Sequence, residues 1–310
     1  MHDTIHIAAS CDDNYAQHVG VVFQSLLENT TDPSGVECHL ISNDISDLNQ
    51  IKLLKLVSAL KSKLNIIPAD DSKYVGLPTS RYGTAAYQRI SLAQYLPETI
   101  NRVIYLDSDI LVLDDIRTLW DFSLEGRPLA AVENLSPKAC RHLEFSRNEY
   151  FNSGVLVIDL EKWRQNNTHQ KTIDIIKNNI DTIKYFDQCS LNIIFRGDWT
   201  KLPLNWNQQG DIYGTLEKYS DGCGYSTSDI KQAISQPSIV HFIGQQKPWL
   251  LNCFHPFKST YQHYLAKTPW KGAAPKDYTL FNNIRYSLKI KEKIKQILRV
   301  KKIERTAIGK

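Results

Sequence analysis

Asp107 and Asp109 stand one residue apart at the end of an apolar run, Val103-Ile104-Tyr105-Leu106, and a second run, Ile110-Leu111-Val112-Leu113, follows them. Alternate residues of a strand point the same way, so carboxylates at this spacing can reach one spot. Two carboxylates brought together repel unless a cation lies between them. A hard divalent ion such as Mn2+ or Mg2+ fits, and it could also hold a diphosphate.

Other stretches carry chemistry of a compatible kind. Asp12-Asp13-Asn14-Tyr15 follows a short apolar segment. Its acidic and amide groups suit a ribose and a uracil-like base edge, with Tyr15 available to stack; the alternative is that Asp12 or Asp13 merely caps the next helix, which by itself is the commoner role. The turn has no G-x-G-x-x-G, so nothing points to a nicotinamide or flavin dinucleotide. His241-Phe242-Ile243-Gly244-Gln245-Gln246-Lys247-Pro248-Trp249 suits a phosphate loop. Gly244 would let the backbone approach an oxygen, and Lys247 would supply the counter-charge. His241 is either a metal ligand or a packed strand residue. Arg89 either snorkels to solvent or points at the site ahead of Asp107.

These groups need a framework of strands ending at one edge. Residues 5–9, 37–42, 65–68, 103–106, 129–133, 155–158 and 238–242 read as strands, several of them apolar on both faces. Helices are expected after residue 15, from Ser46 through Lys61 (apolar positions Leu48, Ile51, Leu54, Leu56 and Leu60), over 85–95, 116–120, from 161, over 170–183 and from 186. Residues 203–230 read as an irregular, substrate-facing region. Strands alternating with helices give an α/β domain with a mixed, mainly parallel sheet flanked by helices.

Composition sets further limits. The 310 residues can bury a sizeable core, and 42% hydrophobic with 23% charged residues is ordinary for a globular chain. No run of eighteen apolar residues occurs, so no transmembrane helix is expected, and the N-terminus does not read as a signal peptide. Six scattered cysteines without a C-x-x-C pair argue against a zinc knuckle or disulfide framework, and fit a reducing cytoplasm. The net charge of +4 is misleading. Residues 285–310 hold ten Lys/Arg against two Glu, while the rest has 27 basic and 31 acidic residues. A helix there would line up Tyr286, Ile290, Ile294, Ile297 and Leu298 with lysines mostly outside the stripe, the pattern of an anionic-membrane binder. The acidic body argues against nucleic acid as a partner. The expected organisation is a catalytic domain over 1–270 and a basic tail over 271–310, in a cytoplasmic protein peripheral on the inner face of the cytoplasmic membrane.

Taken together, Asp-Asp-Asn-Tyr at 12–15, Tyr-Leu-Asp-Ser-Asp at 105–109, Phe-Asn-Ser-Gly-Val at 151–155, Asp-Gln at 187–188 and the 241–249 segment resemble glycosyltransferase family 8, in order and spacing. The resemblance spans residue 5 to about residue 249. It implies a nucleotide-diphospho-sugar transferase (GT-A type) fold, a UDP-sugar donor, Mn2+ and retention at the anomeric carbon. By position it implies that Asp12, Asn14 and Tyr15 hold uridine, that Asp107, Asp109 and His241 ligate the metal, and that Gly244 and Lys247 hold the diphosphate. Arg89, Ser108, Asn152, Ser153, Gly154, Asp187 and Gln188 would surround the donor sugar, with Arg89, Asn152, Asp187 and Gln188 at the reaction centre. Glu133 stands where relatives have Asp, on the side implied to face the acceptor. The implied reaction moves a hexose, galactose favoured and glucose next, onto a saccharide or glycolipid such as a lipopolysaccharide.

Two other readings compete. A haloacid-dehalogenase-like phosphatase also carries D-x-D after an apolar strand, but its motif lies on an early strand and wants Thr or Val where Leu111 stands. A sugar-nucleotide-binding protein without turnover would keep the fold but not need the metal and phosphate residues.

Overall fold

The structure is a computed structural model and describes residues 3–78, 83–136, 138–213 and 223–283. Among these, ten strands form two sheets. The larger contains β1 (Ile5–Asp12), β2 (Val36–Asn43), β3 (Lys63–Pro68), β4 (Arg102–Leu106), β6 (Leu129–Glu133), β7 (Phe151–Asp159) and β8 (Thr200–Lys201) in the order β3-β2-β1-β4-β7-β6-β8. Its pairs are parallel except those of β7 with β4 and β6. The smaller sheet is β5 (Ile110–Val112), β10 (Ile239–His241) and β9 (Gln208–Gln209). The α/β architecture and mainly parallel sheet agree with the expectation.

Two apolar layers sandwich the large sheet. Ile5, Ile7 and Ala9 face one side, packing with Val19, Val22, Phe23 and Leu26 of the helix Ala16–Asn29. Ala8, Val103, Tyr105 and Leu156 face the other, against Tyr87, Ile90 and Leu92. Residues buried on both faces are what makes these strands uninterrupted apolar runs.

The site is set by where the strands stop. β4 ends at Leu106 opposite Val155 of β7, and Asp107 N–H then donates to Gly154 O at 2.9 Å. The chain turns through Ser108 and Asp109 into β5, whose Ile110 pairs with His241 of β10. Phe242 N–H donates to Asp109 O at 3.0 Å, locking histidine and aspartate side by side. The crossing of two sheets, rather than one strand end, gathers the metal-type residues.

Several local expectations differ. Residues 85–95 are not one helix: a 3-10 segment, Thr84–Ser91, follows Gly83 at φ +61° and runs into the short helix Leu92–Tyr95. On the helix Asp47–Ala59 the apolar stripe is displaced: Leu48, Ile51 and Leu54 are exposed, and Leu53, Leu56 and Val57 are buried. A leucine-rich helix with two apolar stripes leaves periodicity undecided, and the sheet chose. Its Ser46 does not cap it by side chain; Ser46 Oγ donates to Asp13 Oδ1 at 2.7 Å. The helix expected over 170–183 is Thr168–Asn178. Among the described residues of the 203–230 region, Leu204–Asn207 is a 3-10 turn with Leu204 and Trp206 buried, and Thr227–Ser235 is a helix started by a Ser226/Asp229 capping box, so these parts are not irregular. A further helix, Lys258–Leu265, lies past the expected phosphate loop.

The body also extends past residue 270. Lys276 N–H donates to Trp249 O, Leu251 N–H donates to Asp277 Oδ1, and Lys276 Nζ reaches Asn14 O at 2.8 Å. The amphipathic tail expected from Tyr286 onward lies outside the described residues. Among the described residues no helix is long and apolar enough to cross a membrane.

Candidate active site

A cavity of about 310 Å³ opens at the carboxyl ends of β1 and β4. That volume is at the small end for a ligand pocket. Asp12, Tyr15, Arg89, Asp107, Ser108, Asp109, Asn152, Ser153, Asp187, Gln188, His241, Gly244 and Lys247 all line it. Segments that are distant in sequence therefore share one pocket.

One ligand atom from each of Asp107, Asp109 and His241 lies within 4.8 Å of the others. His241 Nε2 is 3.1 Å from Asp109 Oδ1 and 3.6 Å from Asp107 Oδ2. Gly154 sits against this triad: a Cβ there would come 2.2 Å from His241 Cε1 and 2.7 Å from Asp107 Oδ2. Burial pushes the Asp109 carboxyl up, but Lys247 and His241 overcome it and hold the group well below the usual carboxylate range. Two carboxylate oxygens and one imidazole nitrogen, with the glycine clearing room, fit a hard divalent ion such as Mn2+ or Mg2+.

Arg89 does not snorkel. It is 7% exposed and turns inward. Its Nη2 is 2.8 Å from Asp107 Oδ1, its Nε is 3.0 Å from Asp187 Oδ2, and its Nη1 donates to Ser153 O at 2.7 Å and Ser153 Oγ at 2.9 Å. Burial disfavours the guanidinium, yet Asp107, Tyr105 and Asp187 together keep it charged. Asp187 is less favoured: burial raises its carboxyl above the usual range, Arg89 opposes the rise, and the Asp107 charge adds to it.

Gln188 is 8% exposed and its amide is fixed at both ends. Ser153 N–H donates to Oε1 at 3.1 Å and Asn152 Nδ2 donates to it at 3.3 Å, while Gln188 Nε2 donates to Tyr150 Oη at 3.1 Å. The backbone N–H can only donate, so the amide orientation is settled without ambiguity.

At the other end, Asp12 Oδ1 accepts from Tyr15 N–H at 3.0 Å, so it caps the turn and also lines the cavity. Tyr15 stands edge-on to Trp249, with ring centroids 5.8 Å apart. Gly244 has φ +72°, a conformation that favours glycine, and lets the loop turn toward the cavity. Lys247 pairs with Asp109 and donates to Phe242 O at 2.7 Å.

Three of the residues singled out in the sequence do not line the cavity. Asn14 is exposed and its Nδ2 is 3.4 Å from Asp12 Oδ2. Gly154 lies behind Asp107 and His241. Glu133 is fully buried, 3.2 Å from Lys201 Nζ and accepting from Gly224 N–H at 2.9 Å. Sequence reasoning missed Tyr105, whose hydroxyl donates to Asp107 Oδ1 at 3.1 Å; its place two residues before Asp107 carried that signal. It also missed Tyr150 and Asn207, because a lone tyrosine and a lone asparagine show no period.

Residues 6–253 match Glycosyl transferase family 8, and the chain belongs to that family. It is 34% identical over 274 residues to General stress protein A of Bacillus subtilis (strain 168), covering 86% of this chain and 95% of the relative. It is 28% identical over 282 residues to Lipopolysaccharide 1,2-glucosyltransferase of Escherichia coli (strain K12), covering 89% and 81%. Its fold is similar to that of galactosyltransferase LgtC in complex with donor and acceptor sugar analogues, with a TM-score of 0.76 at 23% identity over 86% of this chain and 96% of that one. The structure is thus a GT-A type glycosyltransferase fold with a D-x-D site, and the phosphatase alternative is set aside.

Proposed function

We propose that this protein is a metal-dependent, retaining hexosyltransferase that moves galactose, or next in preference glucose, from a UDP-sugar to a saccharide acceptor of a cell-surface glycan such as a lipopolysaccharide. The convergence of Asp107, Asp109 and His241 beside Arg89, Asp187 and Gln188 in one cavity carries the reading. Relatives named as a lipopolysaccharide glucosyltransferase and a galactosyltransferase support the sugar class.

Asp12 and Tyr15 would receive the base and ribose, with Asn14 shaping the turn. Asp107, Asp109 and His241 would hold Mn2+, or Mg2+, which supplies charge stabilisation for the departing diphosphate. Lys247, which pairs with Asp109, and the Gly244 backbone would add to that stabilisation. Ser108 and Ser153 border the donor, and Arg89 keeps Asp107 and Asp187 apart in fixed positions. Gln188 is a poor nucleophile here, because its carbonyl oxygen already accepts from Ser153 and Asn152. Asp187 is tied to Arg89. Both facts favour attack from the same face as the leaving group, with the donor's own phosphate oxygen taking the acceptor's proton.

Glu133 would influence the acceptor side only through Lys201 and Gly224, since its own carboxylate is buried. The basic tail would hold the enzyme to an anionic membrane, on the cytoplasmic face, near a glycolipid acceptor. UDP release from UDP-galactose, UDP-glucose and UDP-N-acetylglucosamine, with and without Mn2+ and a lactose-terminated acceptor, tests the reading. No metal-dependent release from any donor would overturn it and leave a sugar-nucleotide binder without turnover.

A further inference from the structure

Asn207 is fully buried and ends the 3-10 turn that leads into β9, which runs beside β10 and its His241. Its hydrogen bonds can be assigned from an atom that has no choice. Gly154 N–H donates to Asn152 Oδ1 at 3.0 Å, so that atom is the amide oxygen. The Asn207 atom 2.9 Å from it must then be the donor Nδ2. Asn207 Oδ1 therefore faces His241 Nδ1, at 3.0 Å. A carbonyl oxygen only accepts, so the proton sits on Nδ1, and Nε2 is the nitrogen left to face Asp107 and Asp109.

We propose that Asn207 is a positioning residue: one amide presents His241 Nε2 to the metal site and holds Asn152 against Gln188. This rests on the metal-site reading above. The Asn152 Nδ2 bond to Gln188 Oε1 continues the chain to the reaction centre. A ligand whose outer nitrogen is held in this way usually loses metal affinity when the outer partner is removed.

Two substitutions separate the two functions of the amide. Asn207→Asp can still accept from His241 Nδ1–H but cannot donate to Asn152. Asn207→Ala can do neither. Mn2+ binding, read from the free-ion EPR signal in the presence of UDP, should weaken about 10–100-fold in Asn207→Ala and stay within about threefold in Asn207→Asp. Turnover at saturating Mn2+ should fall about tenfold or more in Asn207→Asp through the lost Asn152 contact. A residue needed only for folding would move both readouts together, and thermal melts identify that case; an Asn207→Ala that does not fold leaves the Asp variant to decide. Wild-type Mn2+ affinity in Asn207→Ala, or full turnover in Asn207→Asp, overturns the proposal. His241→Ala distinguishes the premises: if it binds Mn2+ like the wild type, the metal-site reading itself fails; if it loses Mn2+ while Asn207→Ala keeps it, only the role of Asn207 fails.

Discussion

Arg89 stands between two carboxylates, its Nη2 2.8 Å from Asp107 and its Nε 3.0 Å from Asp187. One guanidinium thereby joins the residue just past the end of β4 to the second residue of the helix Phe186–Ile194. The planar fork of arginine serves two directions at once, which a lysine ammonium cannot copy.

Removing that fork leaves two carboxylates facing each other in a buried site. Arg89→Ala should destabilise the protein by about 3–5 kcal/mol, the usual cost of breaking a buried pair. Arg89→Lys should recover part of the stability and little of the turnover. Thermal melts and kcat for both variants check this; equal turnover in Arg89→Lys and wild type would refute the bridging role.

Gly154 has no room for a side chain. Gly154→Ala should displace His241 and Asp107, and a shift near 1 Å costs on the order of 100-fold in activity. The loss should appear in metal-dependent UDP release with a much smaller change in melting temperature, because the clash is with two side chains at the cavity wall.

Glu133 has one carboxylate oxygen, Oε2, held by Lys201 and the Gly224 N–H, while its Oε1 is buried without a hydrogen-bond partner among the described residues. Lys201→Met should cost about 3 kcal/mol by leaving a buried carboxylate without its cation. Combining it with Glu133→Gln should restore much of that loss, since both charges are then gone. Chemical denaturation of the single and double variants measures the coupling, and additive losses would show that the pair does not interact.

His39 gives a pH dependence away from the site. Burial, reinforced by the neighbouring His6, lowers its pKa to about 4 from an ordinary value near 6.5. His6 Nδ1 and His39 Nε2 are 3.1 Å apart across β1 and β2. The unfolded chain therefore binds a proton that the folded one refuses between about pH 6.5 and 4. Stability contributed by the neutral ring is present above that window and declines as pH falls through it, by on the order of 3 kcal/mol in full. His39→Gln should flatten the fall in denaturation midpoint between pH 7 and pH 4; an unchanged slope would assign it to other groups.

Much of this protein is legible in the order of its residues. Apolar runs at 5–9, 103–106 and 155–158 must be covered on both faces, so they form an interior sheet, and the polar residues that interrupt them fall at its edge. The pairing of Asp107 with Asp109, and the recurrence of family motifs in register, follow from local spacing and order. The Leu48/Ile51/Leu54 stripe shows the limit: a helix rich in leucine offers two faces, and packing against the sheet decides which is buried. Arg89 shows it again: its sequence position reads first as a snorkelling surface residue, and only the fold brings Asp107 and Asp187 within 3 Å of it. Asn207 and Tyr150 carry no pattern at all. Their hydrogen bonds to His241, Asn152 and Gln188 join residues dozens of positions apart, and only the folded chain brings such partners within reach.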